Sequence, residues 1–400
     1  MPPSKLGEES IALHKKFAGK ISVKPLFKVA DRHTLALAYT PGVADVSLAV
    51  QAAPALAYDL TCKGRLAAVV SDGTRVLGLG DIGALGALPV MEGKAMLMKS
   101  FGGVDAIPLC LSTKDEEEIV RVVKAIAPSF GAILLEDIES PKCFSIEKKL
   151  EELLDIPVFH DDQHGTAIVA LAALINALKL TGRTDKKSVK IVIAGCGAAG
   201  VAIARLLHSY GFRQIHIADS KGAICNERTD LEEYKKELLP ILAPSASGQA
   251  SSAPASLRSL LSSADVFIGV SAPNILTPTD IRFMAKNAIV FALSNPIPEI
   301  SAEDAKAGGA AVYGSGRSDT PNQINNVLGF PGIFRGLLAC RAKKVSPGMK
   351  LAAALAIAKL AAKGGLTAEK IVPDPFDKKL PRAVAKAVMK AAKKEGLAQT

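Results

Sequence analysis

The stretch Lys190–Gly200, KIVIAGCGAAG, decides the fold. An apolar strand over Val189–Ala194 runs directly into three glycines and then into the helical pattern VAIARLLHSYG. In such a turn the first glycine permits a tight bend, the second admits a pyrophosphate to the backbone, and the third lets the helix pack closely. This order predicts a Rossmann-type dinucleotide site on the helix N-terminus, with cofactor-binding residues Gly195, Gly197, Ala198, Ala199 and Gly200.

The next strand, QIHIAD, ends at Asp219, about 20 residues beyond the last glycine of the turn. An acid at that point binds the adenosine ribose hydroxyls and ordinarily favours NAD, because a 2′-phosphate would meet a like charge. Lys221 follows two residues later and could pair with that phosphate. The sequence therefore leaves NAD and NADP both open.

Around this motif, short apolar runs alternate with helix-like stretches from about Arg65 onward. That rhythm predicts parallel β-α units, and strands so continuously apolar are expected in sheets covered by helices on both faces. With 400 residues, the chain exceeds the usual size for one hydrophobic core. We predict an α/β protein of two domains, an N-terminal α/β domain over residues 1–162 and a doubly wound Rossmann-type domain with C-terminal helices over residues 163–400.

Two further segments carry specific expectations. A second glycine pattern, Gly78–Gly83 in RVLGLGDIG, follows only a short strand, and we interpret it as a tight loop at a domain cleft rather than a second nucleotide site. Residues 243–256, APSASGQASSAPAS, contain too little apolar surface to pack and are predicted to form a surface loop.

Composition excludes several classes of protein. The net charge is +10, but the basic residues are scattered and aromatics amount to only 4%, which argues against nucleic-acid binding. No apolar run reaches the roughly 20 residues that span a bilayer, and the N-terminal residues MPPSKLGEESIALHKKF are not expected to act as a secretory signal, so no membrane role is expected. Six cysteines without zinc-site spacing fit reduced thiols in a cytoplasmic protein.

Acidic clusters end two of the predicted strands. Ala132–Leu135 runs into Glu136-Asp137, and Ile156–Phe159 leads to Asp161-Asp162. Carboxylates at the carboxyl ends of neighbouring parallel strands converge on one crevice, and clustered oxygens without cysteine suit Mg²⁺ or Mn²⁺. Helix-capping surface acids are the alternative. His160 and His164 flank the second cluster, so a mixed histidine–carboxylate site is a further, weaker option.

Lys94, in MEGKAMLMKS, is a candidate base. A lysine held in a closed cleft can have its pKa lowered and accept a proton. Lys99 would point elsewhere on the same helix.

The ordered segments LAYTPGVA, SDGTRVLGLGDIG, MEGKAMLMK, LLEDIE, FHDDQHGTA, FALSNP and SDTPNQINNVLGFPGIFRG, together with the glycine turn, resemble the malic enzymes over nearly the full length. The resemblance is to the short bacterial form, without the phosphotransacetylase-like extension of some larger relatives. It implies oxidative decarboxylation of (S)-malate to pyruvate and CO₂ with reduction of NAD or NADP, through metal-bound oxaloacetate and enolpyruvate. The N-terminal domain would be the catalytic, substrate-binding one, and a homodimer is expected.

The same resemblance implies a role for each matching residue. Tyr39 corresponds to the general acid and Lys94 to the general base, with Asp161 tuning Lys94. Malate would be bound by Arg75, Asn295, Asn325 and Asn326. Asn295 and Asn326 would also bind the cofactor. The Mg²⁺ or Mn²⁺ ligands would be Glu136, Asp137 and Asp162.

Two rival functions remain at this stage. A malolactic-type enzyme would use the same groups but release lactate, and a nucleotide-binding protein could keep the fold without catalysis. The intact set of acid, base and metal-binding residues argues against the second.

Overall fold

A computed structural model describes residues 4–244 and 254–400 and contains two parallel β-sheets covered by helices. Most of the predicted loop over residues 243–256 therefore lies outside the described residues. The strands are β1 Leu66–Ser71, β2 Asp105–Cys110, β3 Ala132–Leu135, β4 Val158–His160, β5 Lys190–Ala194, β6 Gln214–Asp219, β7 Gly222–Ala223, β8 Val266–Gly269, β9 Ile289–Ala292 and β10 Val312–Ser315.

Helices precede, separate and follow these strands. They are α1 Lys5–Phe17, α2 Arg32–Ala38, α3 Val43–Ala52, α4 Ala57–Leu60, α5 Gly83–Leu97, α6 Glu116–Ile126, α7 Lys142–Leu153, α8 Asp161–Leu180, α9 Ala198–Tyr210, α10 Glu233–Lys236, α11 Leu257–Leu261, α12 Pro278–Arg282, α13 Ala302–Ala307, α14 Phe330–Ala339, α15 Pro347–Lys363 and α16 Leu380–Lys394. A π-helical turn, Met98–Gly102, extends α5. Short 3-10 turns cover Pro54–Leu56, Cys62–Arg65, Ala127–Ser129, Leu239–Ile241 and Asn326–Leu328.

The first sheet has the order β2-β1-β3-β4, with every pair parallel. β3 and β4 are completely buried, as the predicted covering of both faces requires. Because β1, β3 and β4 run in one direction, the residues that follow them meet at one edge of the sheet. The acidic clusters lie at that edge, as the sequence predicts.

The second sheet has the order β10-β9-β8-β5-β6-β7. The chain reverses its direction of strand addition between β5 and β8, and ligands of doubly wound sheets bind at such a switch point. The parallel α/β architecture is thus confirmed. One strand was not predicted: β7 is a two-residue antiparallel addition to β6, too short to show an alternating pattern.

A long helix, α8, leads from the first sheet to the second. It begins at Asp161, before the apolar run that opens at Thr166, because its first turn contains acidic residues whose negative charges suit a helix N-terminus. It is the one helix among the described residues with the length and apolarity to cross a membrane, but 78% of that window is buried inside the protein, as in a core helix. The domain boundary near Asp162 stays a prediction.

Helices α1 to α4 contain no buried residue. More than half of the exposed large apolar side chains lie in this N-terminal segment, including Val23, Leu26 and Phe27 at 89%, 74% and 63% exposure. The segment therefore presents many apolar side chains that the rest of the described residues leave exposed.

Candidate active site in the interdomain cleft

A cleft of about 940 Å³ opens between the carboxyl edges of the two sheets. It brings together residues predicted separately from distant segments: Arg75, Lys94, Glu136, Asp137, Asp162, Gly197, Ala198, Ala199, Asn295, Asn325 and Asn326. The roles assigned to them remain predictions, but their convergence on one space is a property of the fold.

Three carboxylates form a candidate metal centre on the first-sheet side of the cleft. One oxygen from each of Glu136, Asp137 and Asp162 lies within 4.8 Å of the others. Glu136 Oε2 and Asp137 Oδ2 are buried and have no hydrogen-bond partner among the described residues. Asp137 also has a left-handed backbone, with φ 53°, which is uncommon for a non-glycine residue. Unpartnered, all-oxygen donors fit a hard divalent cation such as Mg²⁺ or Mn²⁺.

Lys94 projects from α5 into this acidic centre and is only 9% exposed. Its Nζ lies 2.6 Å from Asp161 Oδ2 and 2.8 Å from Glu136 Oε1. Burial disfavours the ammonium charge, but the carboxylates of Asp161, Glu136 and Asp162 outweigh it and raise the pKa of Lys94. The expected lowering of this pKa was wrong for the protein without a bound cation, because it considered burial alone.

Two residues that were not predicted from the sequence, Gly165 and Phe330, hold the Lys94–Asp161 ion pair in place. A Cβ on Gly165 would lie 1.9 Å from Asp161 Oδ1, so the glycine one turn along α8 leaves room for the carboxylate. The ring of Phe330 lies beneath Lys94 Nζ, with 4.7 Å to its centroid. The glycine in FHDDQHGTA was a usable signal, whereas nothing local marks Phe330.

The two histidines do not join the metal centre. His164 Nε2 lies 3.0 Å from Glu147 Oε2 and 3.0 Å from Lys350 Nζ. His160 is buried, and its Nδ1 is 3.9 Å from Asp162. Within the described ranges, the candidate ligand set consists of the three carboxylates, so the geometry does not support a mixed histidine–carboxylate site.

The glycine turn has the geometry that its sequence predicts. Gly195 has φ 107°, and a Cβ there would lie 2.6 Å from the carbonyl oxygen of Val270. A Cβ on Gly200 would lie 1.9 Å from Gly195 O, whereas one on Gly197 would meet nothing within 4 Å. The first and third glycines are thus required for packing, and the second leaves open space beside the N-terminus of α9 where a pyrophosphate fits.

At the end of β6, Asp219 is held by two cations that the sequence did not identify. Arg228 Nη1 lies 2.7 Å from Asp219 Oδ1, and Lys235 Nζ lies 3.1 Å from Oδ2. Lys221 instead extends to Asp230 at 2.8 Å, with its side chain 67% exposed. The side-chain cations of Arg228 and Lys235, rather than the ammonium of Lys221, therefore contact the predicted ribose-binding carboxylate, and only the tertiary fold brings them there.

The remaining substrate candidates lie where the two domains meet. Gly78, in the second glycine pattern, packs so closely that a Cβ would lie 2.1 Å from Asn295 O. This supports the interpretation of that pattern as a tight loop at the cleft. Asn325 uses its side chain to accept the N–H of Val327, and it begins the short turn that carries Asn326.

Of the three predicted catalytic residues, Lys94 lines the cleft, Asp161 is buried behind it and contacts its Nζ, and Tyr39 lies outside the cleft within a single chain. Tyr39 ends α2 in the N-terminal segment, its side chain is 65% exposed, and it is absent from the cleft lining.

Comparison with known proteins identifies relatives over both domains. Residues 18–151 match the family model described as malic enzyme, N-terminal domain, and residues 163–393 match malic enzyme, NAD binding domain. The chain is 50% identical over 395 residues to the bifunctional malic/malolactic enzyme of Bacillus subtilis, covering 98% of this chain and 95% of that one. It is 52% identical to the NAD-dependent malic enzyme of Geobacillus stearothermophilus, covering 95% and 78%.

Among solved structures, the NAD-dependent malic enzyme of Thermotoga maritima superposes with a TM-score of 0.90 at 46% identity. That match covers 95% of this chain and 98% of the other. The similarity thus includes both domains and the cleft between them.

Proposed function

The chain belongs to the malic enzyme family, and from this premise we propose that it converts (S)-malate to pyruvate and CO₂ while reducing NAD or NADP. The observation that carries the proposal is the placement of Lys94 between Asp161 and Glu136, beside three clustered carboxylates and facing the glycine turn across one cleft.

Each reactant has a fitting place in this cleft. The glycine turn, Gly195–Gly200, would hold a nicotinamide cofactor, which would supply the acceptor for the hydride of malate C2. Glu136, Asp137 and Asp162 would hold a divalent cation, which would supply positive charge where oxygen anions develop. That cation would also offset the carboxylates that raise the pKa of Lys94, which lets its amine take the proton of the malate hydroxyl.

The other residues bind malate and the nicotinamide, position Lys94 or donate a proton to C3. Arg75 pairs with a malate carboxylate, and the amides of Asn295 and Asn326 orient substrate and nicotinamide. Asp161, whose oxygen is bonded to Lys94, keeps the base in position and takes part in its charge balance. Tyr39 donates the proton that completes pyruvate at C3.

One assay tests class, cofactor and metal together. With malate, we expect absorbance at 340 nm to rise with NAD or NADP only when Mg²⁺ or Mn²⁺ is present, and free pyruvate to appear in equal amount. Turnover that is unaffected by chelation of divalent ions would contradict the proposed metal centre.

A malolactic reaction is a second candidate, because the B. subtilis relative is named for both activities. It would release lactate and regenerate the cofactor without a net change at 340 nm. Product analysis separates the two reactions, and lactate as the main product would overturn our first assignment.

We further propose a homodimer formed by the apolar N-terminal segment, with the partner's Tyr39 completing the cleft. Contiguous exposed apolar surface marks protein interfaces. Tyr39 lies on that segment and outside its own cleft. A shared site explains both facts.

Mixing two inactive variants tests this arrangement. Tyr39→Phe and Lys94→Ala chains are unfolded and reassembled together in equal amounts. If Tyr39 acts across the interface, about a quarter of wild-type activity returns, because half the dimers are mixed and each mixed dimer has one intact site of two. If Tyr39 serves its own chain, every site remains defective and the mixture stays inactive.

We also propose a cytoplasmic location, in keeping with six unpaired cysteines.

A further inference from the structure

Glu299 is a fully buried carboxylate, 0% exposed, that joins two loops of the second sheet. Its Oε1 accepts the backbone N–H of Ser271 at 2.9 Å, and its Oε2 accepts that of Ser294 at 3.1 Å. These donors lie just beyond the ends of β8 and β9. One side chain thus links the starts of both loops.

The two loops form the wall of the cleft on the side away from Asp219. Residues 270–273 and 293–297 line it, whereas Glu299 does not. The adenosine end is expected near Asp219 and the pyrophosphate at the glycine turn, so these loops face the nicotinamide end. Glu299 therefore influences that end only through the backbone it holds.

The space for this carboxylate is built into β8. A Cβ on Gly269 would lie 2.3 Å from the carboxyl carbon of Glu299, so the strand ends in glycine where the side chain passes. The hydrogen-bonding pattern also requires an acid, because both donors are N–H groups and both side-chain oxygens must accept. Glutamine has the same shape but offers one acceptor and one donor.

We propose that Glu299 is a positioning residue that sets the spacing of the two loops and so holds the nicotinamide ring and Asn295 in register with Lys94. This rests on the dinucleotide reaction proposed above. A small displacement of these loops should affect hydride transfer strongly, because reaction rates depend steeply on the alignment of the reacting atoms.

The decisive variant is Glu299→Gln, compared by two ligands. NADH carries the nicotinamide ring, and ADP-ribose lacks it. We expect the Kd for NADH, from its fluorescence, to rise about 10-fold and kcat to fall at least as much, while the Kd for ADP-ribose stays within about twofold by calorimetry. Glu299→Asp, which keeps the charge but shortens the reach, should show the same pattern and serves if the glutamine variant does not fold.

Asp280→Asn is the matched control. Asp280 is also buried, at 4% exposed, and accepts the N–H of Thr277 at the start of α12, away from the cleft. It should lower thermal stability without changing either Kd. An unchanged NADH affinity in a folded Glu299 variant, or equal weakening of NADH and ADP-ribose, would overturn the proposal. Both binding measurements need no malate, so failure of the proposed reaction would be seen separately as absent wild-type turnover.

Discussion

The carboxyl edges of the two sheets both carry buried acids, but the acids differ in what surrounds their oxygens. At the first sheet, Glu136, Asp137 and Asp161 each keep one buried oxygen without a hydrogen-bond partner. At the second, both oxygens of Glu299 accept backbone N–H groups, and both oxygens of Asp219 contact cations.

This difference separates two uses of the same residue type. Leaving a buried charged oxygen unpaired is unfavourable, so such groups persist where a ligand completes them. Acids that the protein itself satisfies instead fix the backbone or neighbouring side chains. We accordingly propose that the first edge is the reacting side of the cleft and that the second edge binds and orients the cofactor.

The largest effect is expected from an acid of the first edge. Asp137→Asn should lower kcat/KM for malate by about 10³-fold or more, because it removes a charge from the proposed cation site. Asp105→Asn is the control, since Asp105 lies at the opposite end of the same sheet and pairs with Arg65 and Lys99. If steady-state assays with Mn²⁺ show similar activity for both variants, the distinction between the two edges fails.

Lys94→Ala should lower kcat by at least about 10²-fold through loss of the proposed base. Mn²⁺ binding should survive, because the three carboxylates remain. Lys99→Ala, which alters an exposed lysine on the following helical turn, should leave kcat unchanged. Retained turnover in Lys94→Ala would remove this residue from its assigned role.

The effect of a cation on stability should depend on pH. Burial and the Asp162 carboxylate raise the pKa of Asp137 to about 7. The folded, metal-free protein thus binds this proton more tightly than the unfolded chain, and it loses stability as pH rises from about 4 to about 7. Saturating Mn²⁺ should offset that loss, so the gap in Tm between loaded and metal-free protein should widen from pH 5 to pH 7.5. A constant gap would argue against Asp137 as a ligand.

A smaller effect is expected from the second edge. Asp219→Asn should raise the KM for NAD about 10-fold and lower that for NADP, because Arg228 and Lys235 would then be free to bind a 2′-phosphate. Lys221→Ala should change the KM for NADP less, since its side chain is exposed and paired with Asp230. If Lys221→Ala changes the KM for NADP more than Asp219→Asn does, then Lys221 binds the 2′-phosphate, as the sequence alone suggested, and Arg228 and Lys235 do not.

Local pattern was sufficient for much of the fold and the site. The glycine turn and the acids that end β3 and β4 could be located because each depends on a strand and the residues just after it. Convergence on one cleft followed from the shared direction of parallel strands. The start of α8 is not marked by apolar periodicity, because its first turn is polar.

Other features depend on contacts between distant segments. Arg228 and Lys235 reach Asp219, Phe330 reaches Lys94, and Glu299 reaches two separate loops only after the chain has folded. The raised pKa of Lys94 likewise depends on acids from β3 and α8. The motif LAYTPGVA made Tyr39 identifiable from the sequence. The motif could not indicate, however, that Tyr39 lies outside the cleft of its own chain.

Mn²⁺ binding tests the central claim most directly, because it asks whether the bare oxygens of the first edge form a cation site. Calorimetric titration of the wild-type protein at pH 7.5 should find one Mn²⁺ per chain, and Asp162→Asn should weaken binding by about 10²-fold. Equal affinity in the two proteins would contradict the assignment of this acidic edge as the metal centre.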